Sequence, residues 1–164
     1  MIEDKILVRA QIEQLMANLR SKDAEVTIVF TNGCFDLFHS GHATYLEAAK
    51  EEGDILIVGV NSDESVKRLK GETRPIMDLR QRMTVLAALE SVNYVVAFEE
   101  DTPYELIKQI QPDVLVKGGD WEISQIVGAD IVLDRGGAVL QMRFEEGISS
   151  SELIRRMGAK SGNN

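Results

Sequence analysis

The chain has 164 residues, 44% of them hydrophobic, and a formal net charge of -9; that suits one domain with a real core and disfavours a long nucleic-acid partner. Its single cysteine, Cys34, excludes an intramolecular disulfide framework. No apolar run approaches the roughly 20 residues that span a bilayer, and the acidic start MIEDKI carries no signal-peptide core, so a cytoplasmic protein with no membrane partner is expected.

In chain order, Ile12, Leu15, Met16 and Leu19 recur at helical spacing and predict an amphipathic helix over 3–21, within an N-terminal helical extension of residues 1–25. The main domain is expected over 26–158. Val26 to Thr31 is a β-branched run, hence a buried strand. A loop over 32–41 leads into a helix from His42 to Glu52. DILIVGVN, from Asp54 to Asn61, is the next strand, followed by a helix of about eight residues from Ser62. Lys70 to Asp78, with Gly71 and Pro75, reads as an exposed loop. Leu79 to Glu90 is helical, Tyr94 to Phe98 a strand, and Pro103 opens a helix over Tyr104 to Ile110. Asp113 to Lys117 is a strand. Ala129 to Leu133 and Ala138 to Met142 are read as strands flanking the Arg135-Gly136-Gly137 turn. A last helix spans Ser149 to Met157, and residues 159–164 form a flexible tail.

Continuously apolar strands alternating with helices predict a single α/β, Rossmann-like domain: a mainly parallel sheet with helices on both faces. Ligands of such sheets bind beyond the carboxyl ends of the strands. The loops at 32–41, 61–63 and 117–121 all leave strands.

The richest of them is TNGCFDLFHSGH, Thr31 to His42. Gly33 and Gly41 allow close approach of backbone to a ligand. The helix beginning near Gly41 offers unpaired N–H groups and a positive dipole end to phosphate. Both histidines of the chain, His39 and His42, lie here. Imidazoles at this place can donate hydrogen bonds to a triphosphate and stabilise charge building at an α-phosphate. Zinc is the competing use, but no further histidine or cysteine completes a usual site, so no protein-bound metal is expected.

A second phosphate-compatible helix start is Gly147-Ile148-Ser149-Ser150-Ser151. Its hydroxyl and N–H groups either cap the helix, with Ser149 and Glu152 as a capping box, or bind phosphate oxygens. Lys67, Arg68, Lys70, Arg74, Arg80 and Arg82 crowd one stretch. That is either a solvated face or a mobile clamp on phosphates. Lys117-Gly118-Gly119-Asp120-Trp121 follows a strand. Here Lys117 can pair with phosphate, Asp120 can accept from sugar hydroxyls, and Trp121 either offers a stacking face or fills core. Asn61 and Asp63 bind hydroxyls at the same edge or cap a helix.

His39-Ser40-Gly41-His42, with its lead-in Asn-Gly-Cys-Phe-Asp, resembles the HxGH nucleotidyltransferase superfamily, and the serine-rich segment is similar to that superfamily's second motif. TNGCFDLFHSGH, VNSDESVKRLKGETRP, VLAALESV, FEEDTP, DVLVKGGD and IVGAD together look like the adenylyltransferase domain of the heptose biosynthesis enzymes, over about residues 26–157. The resemblance implies transfer of AMP from ATP to D-glycero-β-D-manno-heptose 1-phosphate, giving ADP-heptose, with Mg²⁺ carried mainly by the triphosphate. The same chemistry on another pair, such as CTP with glycerol 3-phosphate, remains open, as does a non-catalytic nucleotide-binding domain. By resemblance His39, His42, Lys70 and Arg82 are the catalytic candidates. Gly33, Cys34, Phe35 and 147–151 join them in binding nucleotide, and Asn61, Asp63, Lys117, Gly118, Asp120 and Trp121 bind the sugar phosphate. Direct transfer needs no covalent intermediate, so no nucleophilic role falls to Cys34. No kinase sequence precedes the domain, which makes the stand-alone form the expectation; a homodimer is expected because two-fold dimers are the commonest oligomers.

Overall fold

The computed structural model describes residues 1–143 and 147–161. Its centre is a six-stranded sheet in which every pairing is parallel. The chain runs α1 (Ile2–Lys5), β1 (Ile6–Leu7), a 3-10 turn (Arg9–Gln11), α2 (Ile12–Lys22), β2 (Ile28–Gly33), α3 (Ser40–Glu51), β3 (Ile55–Asn61), α4 (Asp63–Lys70) and α5 (Leu79–Ala87). It continues through β4 (Tyr94–Phe98), α6 (Tyr104–Ile110), β5 (Val114–Gly118), a second 3-10 turn (Ile123–Gln125), α7 (Ala129–Asp134), β6 (Ala138–Met142) and α8 (Ser150–Ser161). The strand order is β1-β4-β3-β2-β5-β6. After β2 the chain adds strands on one side, then crosses over to add β5 and β6 on the other. The gap between β2 and β5 is therefore the topological switch point, where sheets of this kind bind ligands.

The apolar strands are explained by burial on both faces. Ile28 and Phe30 of β2 point to one face, against α2, α6 and α7 through Ile12, Ile107 and Val132. Val29 points to the other, with Leu46 of α3 and Leu86 of α5. Alternate residues of one strand thus enter two separate cores.

Four expectations are corrected. Residues 3–21 are not one helix: Ile6 and Leu7 pair with Val95 and Val96 as an edge strand. Lys5 Nζ fastens this segment by donating to the carbonyls of Leu89 and Val92 at 3.0 and 2.7 Å, and the Gln11 side chain accepts the Val8 N–H at 2.9 Å where the helix restarts. Ala129 to Leu133 is helix, not strand. A short Ile-Val-Leu run cannot reveal its own period, and the parallel β5–β6 pair needs a crossover that α7 supplies. The 70–78 loop is not wholly exposed, because Arg74 is buried and ion-paired with Asp36. The last helix also runs on past Met157 to Ser161. No helix among the described residues is long and apolar enough to cross a membrane.

Candidate active site

A cleft of about 580 Å³ opens over the carboxyl ends of β2 and β5. One side is built from the β2 exit, Gly33, Cys34 and Phe35, with His42 from α3. The other is built from Lys117 and Gly118 of β5, then Trp121. Asn61 at the end of β3, Lys70 at the end of α4 and Ser150 at the start of α8 complete the predicted residues that line it. Segments far apart in sequence, the histidine loop and the serine-rich helix start, therefore meet across one cavity.

The histidine loop gets its shape locally. Phe35 and Leu37 adopt left-handed backbone, with φ of 51° and 47°. For non-glycine residues that costs about 1–3 kcal/mol each, which the surroundings must offset. A Cβ on Gly41 would lie 3.1 Å from the His39 ring, which would have to give by a few tenths of an ångström. The His39 and His42 rings stack with centroids 3.8 Å apart, and Phe35 meets the His42 ring edge-on at 5.4 Å. His42 Nδ1 accepts the backbone N–H of His39 at 3.3 Å. In the neutral imidazole the hydrogen therefore sits on Nε2. Burial first, then His39 and Lys70 nearby, pull the His42 pKa down to about 4, against a smaller opposing effect of Asp36. His42 is a neutral hydrogen-bond donor at pH 7 until an anion arrives.

The cations divide by role. Lys70 and Lys117 reach the cleft, and neither makes a side-chain hydrogen bond or ion pair among the described residues. Burial lowers the Lys117 pKa, with Cys34 opposing. Arg82, expected to touch phosphate, is instead fully buried outside the lining. It donates to the carbonyls of Met77 and Cys34 at 3.0 and 2.7 Å and to Asp63 Oδ1 at 2.8 Å. Arg82 thus braces the β2 exit and occupies Asp63, so neither side chain faces the cleft. Lys67 and Arg68 also pair with acids, Glu64 and Asp101. The stretch is pinned at Arg68, Arg74 and Arg82, with Lys70 its one representative in the cleft.

The hydroxyls and amides divide likewise. Ser149 Oγ caps α8 by accepting the Glu152 N–H at 3.1 Å, while the Glu152 carboxylate turns to Arg155 and Arg156. Only half of the expected capping box is made. Ser150 lines the cleft and its hydroxyl donates to the Asp36 carbonyl. Gly147, Ser149 and Ser151 are exposed outside the lining, and Ile148 packs near Gly41. Asn61 Nδ2 donates to Ser65 Oγ at 3.0 Å, and Ser65 donates to the Glu100 carbonyl at 3.0 Å, which fixes the amide. Asp120 is exposed and off the lining. Trp121 is 49% exposed, so it forms cleft wall rather than core, steadied by its indole N–H on the Gly118 carbonyl at 3.1 Å. Burial, the largest influence, raises the Cys34 pKa despite nearby Lys70 and Arg82, so its thiol stays protonated at neutral pH.

Sequence reasoning passed over Asp36, Tyr45, Asp101 to Pro103 and Gln125 to Val127, which also line the cleft. Asp101 to Pro103 follow β4 at the same sheet edge, so the strand-exit rule would have found them. Tyr45 had no readable signal: its hydroxyl bonds Thr31 Oγ1 at 2.6 Å, and burial raises its pKa to about 12.

The chain matches the model of the "Cytidylyltransferase-like" family over residues 30–156. It is 51% identical over 157 residues to "Bifunctional protein HldE" of Sodalis glossinidius, covering 96% of this chain and 32% of that protein. It is also 51% identical over 155 residues to the protein of that name from Wolinella succinogenes, covering 94% and 31%. The chain thus spans about a third of the length of these relatives. Among solved structures it resembles the lipopolysaccharide core biosynthesis protein of Thermoplasma volcanium, with a TM-score of 0.58 and 28% identity, covering 73% of this chain and 97% of that one.

Proposed function

The chain belongs to the cytidylyltransferase-like family, and from that premise we propose that it is an adenylyltransferase joining ATP and D-glycero-β-D-manno-heptose 1-phosphate into ADP-heptose and pyrophosphate. The observation that carries this reading is the meeting of His42, Lys70 and Ser150, from three distant stretches, in one cleft at the switch point. The heptose rests on the DVLVKGGD and IVGAD resemblance and on the half-identical relatives.

In this reading a phosphate oxygen of the sugar phosphate attacks the α-phosphorus of ATP. One P–O bond forms, the α–β bridging P–O bond breaks, and pyrophosphate leaves opposite the entering oxygen. The attacking oxygen is already anionic, so no general base is required. The chain's contribution is positioning and electrostatics. His42 Nε2–H and Lys70 offset charge on the phosphates, with His39 stacked behind. The N-termini of α3 and α8 add N–H groups and dipole. Lys117 and Trp121, on the opposite wall, suit the phosphate and the sugar of the acceptor. Asp36, the buried carboxylate of the cleft, is spent on Arg74 and two backbone amides, and no group of three or more His, Cys, Asp or Glu among the described residues is arranged to hold a metal. Mg²⁺ fits the site as an ion carried by triphosphate oxygens, where it offsets their charge. The proposal includes a cytoplasmic location, where ATP is made, and a homodimer.

Pyrophosphate release measured for ATP and CTP, each with heptose 1-phosphate and with glycerol 3-phosphate, tests it. Turnover is expected for ATP with the heptose alone. His42→Ala should lower kcat by about 100- to 1,000-fold, the usual cost of removing one transition-state donor. Turnover only with CTP and glycerol 3-phosphate would replace the assignment, and ATP binding without turnover on any acceptor would make this a binding domain.

A further inference from the structure

Asp36 has no place in the transfer step above, yet two distant stretches of chain converge on it. Its Oδ2 accepts from Arg74 Nε at 2.8 Å and from the Ile76 N–H at 2.9 Å, and its Oδ1 accepts from the Met77 N–H at 2.9 Å. Its own carbonyl accepts the Ser150 hydroxyl. Asp36 is 1% exposed and Arg74 8%. Asp36 supplies the one side-chain hydrogen bond that Arg74 makes among the described residues, and Arg74 Nη2 is buried without a partner. Resting on the adenylyl-transfer reading, we propose that Asp36 is a positioning residue, which ties the segment after Lys70 and the start of α8 to the histidine loop and so sets Lys70 and Ser150 against His42.

The chemistry of the pair argues for this use. A buried ion pair is a poor source of stability, because desolvation consumes most of the attraction. What it does provide is a fixed geometry: this one joins the histidine loop to the segment after Lys70, while the tie to α8 runs through the Asp36 backbone carbonyl. Asp36 lies between the two left-handed residues, Phe35 and Leu37. Such backbone persists only where the surroundings over-determine it, and the four bonds to Asp36 do so. The bound N–H groups also hold the carboxylate pKa low, outweighing the opposite pull of burial. With three hydrogen bonds on its carboxylate and its pKa held low, Asp36 is a poor proton acceptor for substrate. Between Lys70 and Arg74 the chain turns through Gly71, at φ 103° with open space around it. Lys70 ends α4, which Arg68 holds on Asp101, and the anchor at Arg74 to Met77 fixes the chain that leaves it, so Lys70 stands between two ties.

The test uses the full chain with Asp36→Asn and Arg74→Gln, each alone and with Lys70→Ala. Asparagine keeps the size but turns one acceptor oxygen into a donor facing N–H groups. Asp36→Asn should lower kcat for pyrophosphate release about 100-fold, the cost of a misplacement near 1 Å, with KM for ATP little changed. Added to Lys70→Ala, its effect should fall short of multiplying by about tenfold, since a missing cation cannot be misplaced. Amide hydrogen exchange should show Ile76 and Met77 deprotected while β2 and β3 stay protected. If Asp36→Asn does not fold, Arg74→Gln, which keeps the two amide bonds, carries the same kinetic comparison. Losses that multiply, or unchanged protection of Ile76 and Met77 in folded Asp36→Asn, overturn the proposal. A wild-type chain that releases no pyrophosphate overturns the transfer reading instead, and the exchange measurement still decides whether Asp36 is the tie.

Discussion

His42 illustrates how neighbours make a residue's chemistry. An imidazole in an unfolded chain titrates near its ordinary value of 6.5, whereas the folded His42 titrates near 4. The unfolded chain takes up that proton first, so His42 makes the fold less stable as pH falls from about 6.5 to about 4. Asp36 has the opposite chemistry and a lower window: its depressed pKa gives stability that is complete above the ordinary 3.8 and is lost as pH falls through the folded value. Urea unfolding should therefore show stability declining between pH 7 and pH 4, with a shallower decline in His42→Gln. Titrating the ring by NMR should show His42 neutral at pH 7, with its pKa raised once a triphosphate analogue supplies negative charge. At this scale the sequence was partly readable. Local context singled out His42, Lys117 and Ser150, and the family resemblance Lys70, all of which line the cleft. The resemblance also set Arg82 on phosphate, and only the packed fold shows that Cys34, Met77 and Asp63 surround it. Asp36 stood inside a quoted motif, but its partners lie about 40 positions on, a distance no local pattern covers.

Elements were legible where period and length agreed. Tyr94–Phe98, Tyr104–Ile110 and Ala138–Met142 fall where expected, since each is bounded by turn or capping residues. Legibility failed where a run was too short to show a period, as at Ala129–Asp134, and where a helical pattern hid a two-residue edge strand at Ile6–Leu7. The glycine after α7 explains why that helix leads so tightly into β6. A Cβ on Gly137 would stand 2.4 Å from the Asp113 carbonyl oxygen and 2.8 Å from a Val132 methyl. The oxygen belongs to backbone that starts β5 and cannot swing aside. Gly137→Ala should cost about 1–3 kcal/mol, as overpacking does, read as a lower urea midpoint at unchanged m. Its cleft distances should persist, because the clash lies at the amino ends of β5 and β6.

For the whole molecule the parallel sheet was deducible from apolar strands alternating with helices, but its order was not. That order depends on which way the chain turns after β4, and it decides that the β2 and β5 exits face each other. Because the cleft joins segments from both ends of the chain, a bound triphosphate should act on them together. At a concentration of 100 times its Kd a nucleotide adds about 2.7 kcal/mol of stability. Hydrogen exchange should then slow at 33–42 and 147–151 in concert, in an experiment titrating the nucleotide. Slowing at only one of the two would mean that they do not share the ligand.

The same strand order separates the chain's entrance from its chemistry. β1 is the outermost strand, three strand spacings from β2, or about 14 Å at ~4.8 Å each. Met1 is 91% exposed beside it. Cargo joined there, such as an affinity handle or a surface tether, would hang from the rim of the sheet and leave the doorway for triphosphate and pyrophosphate unobstructed.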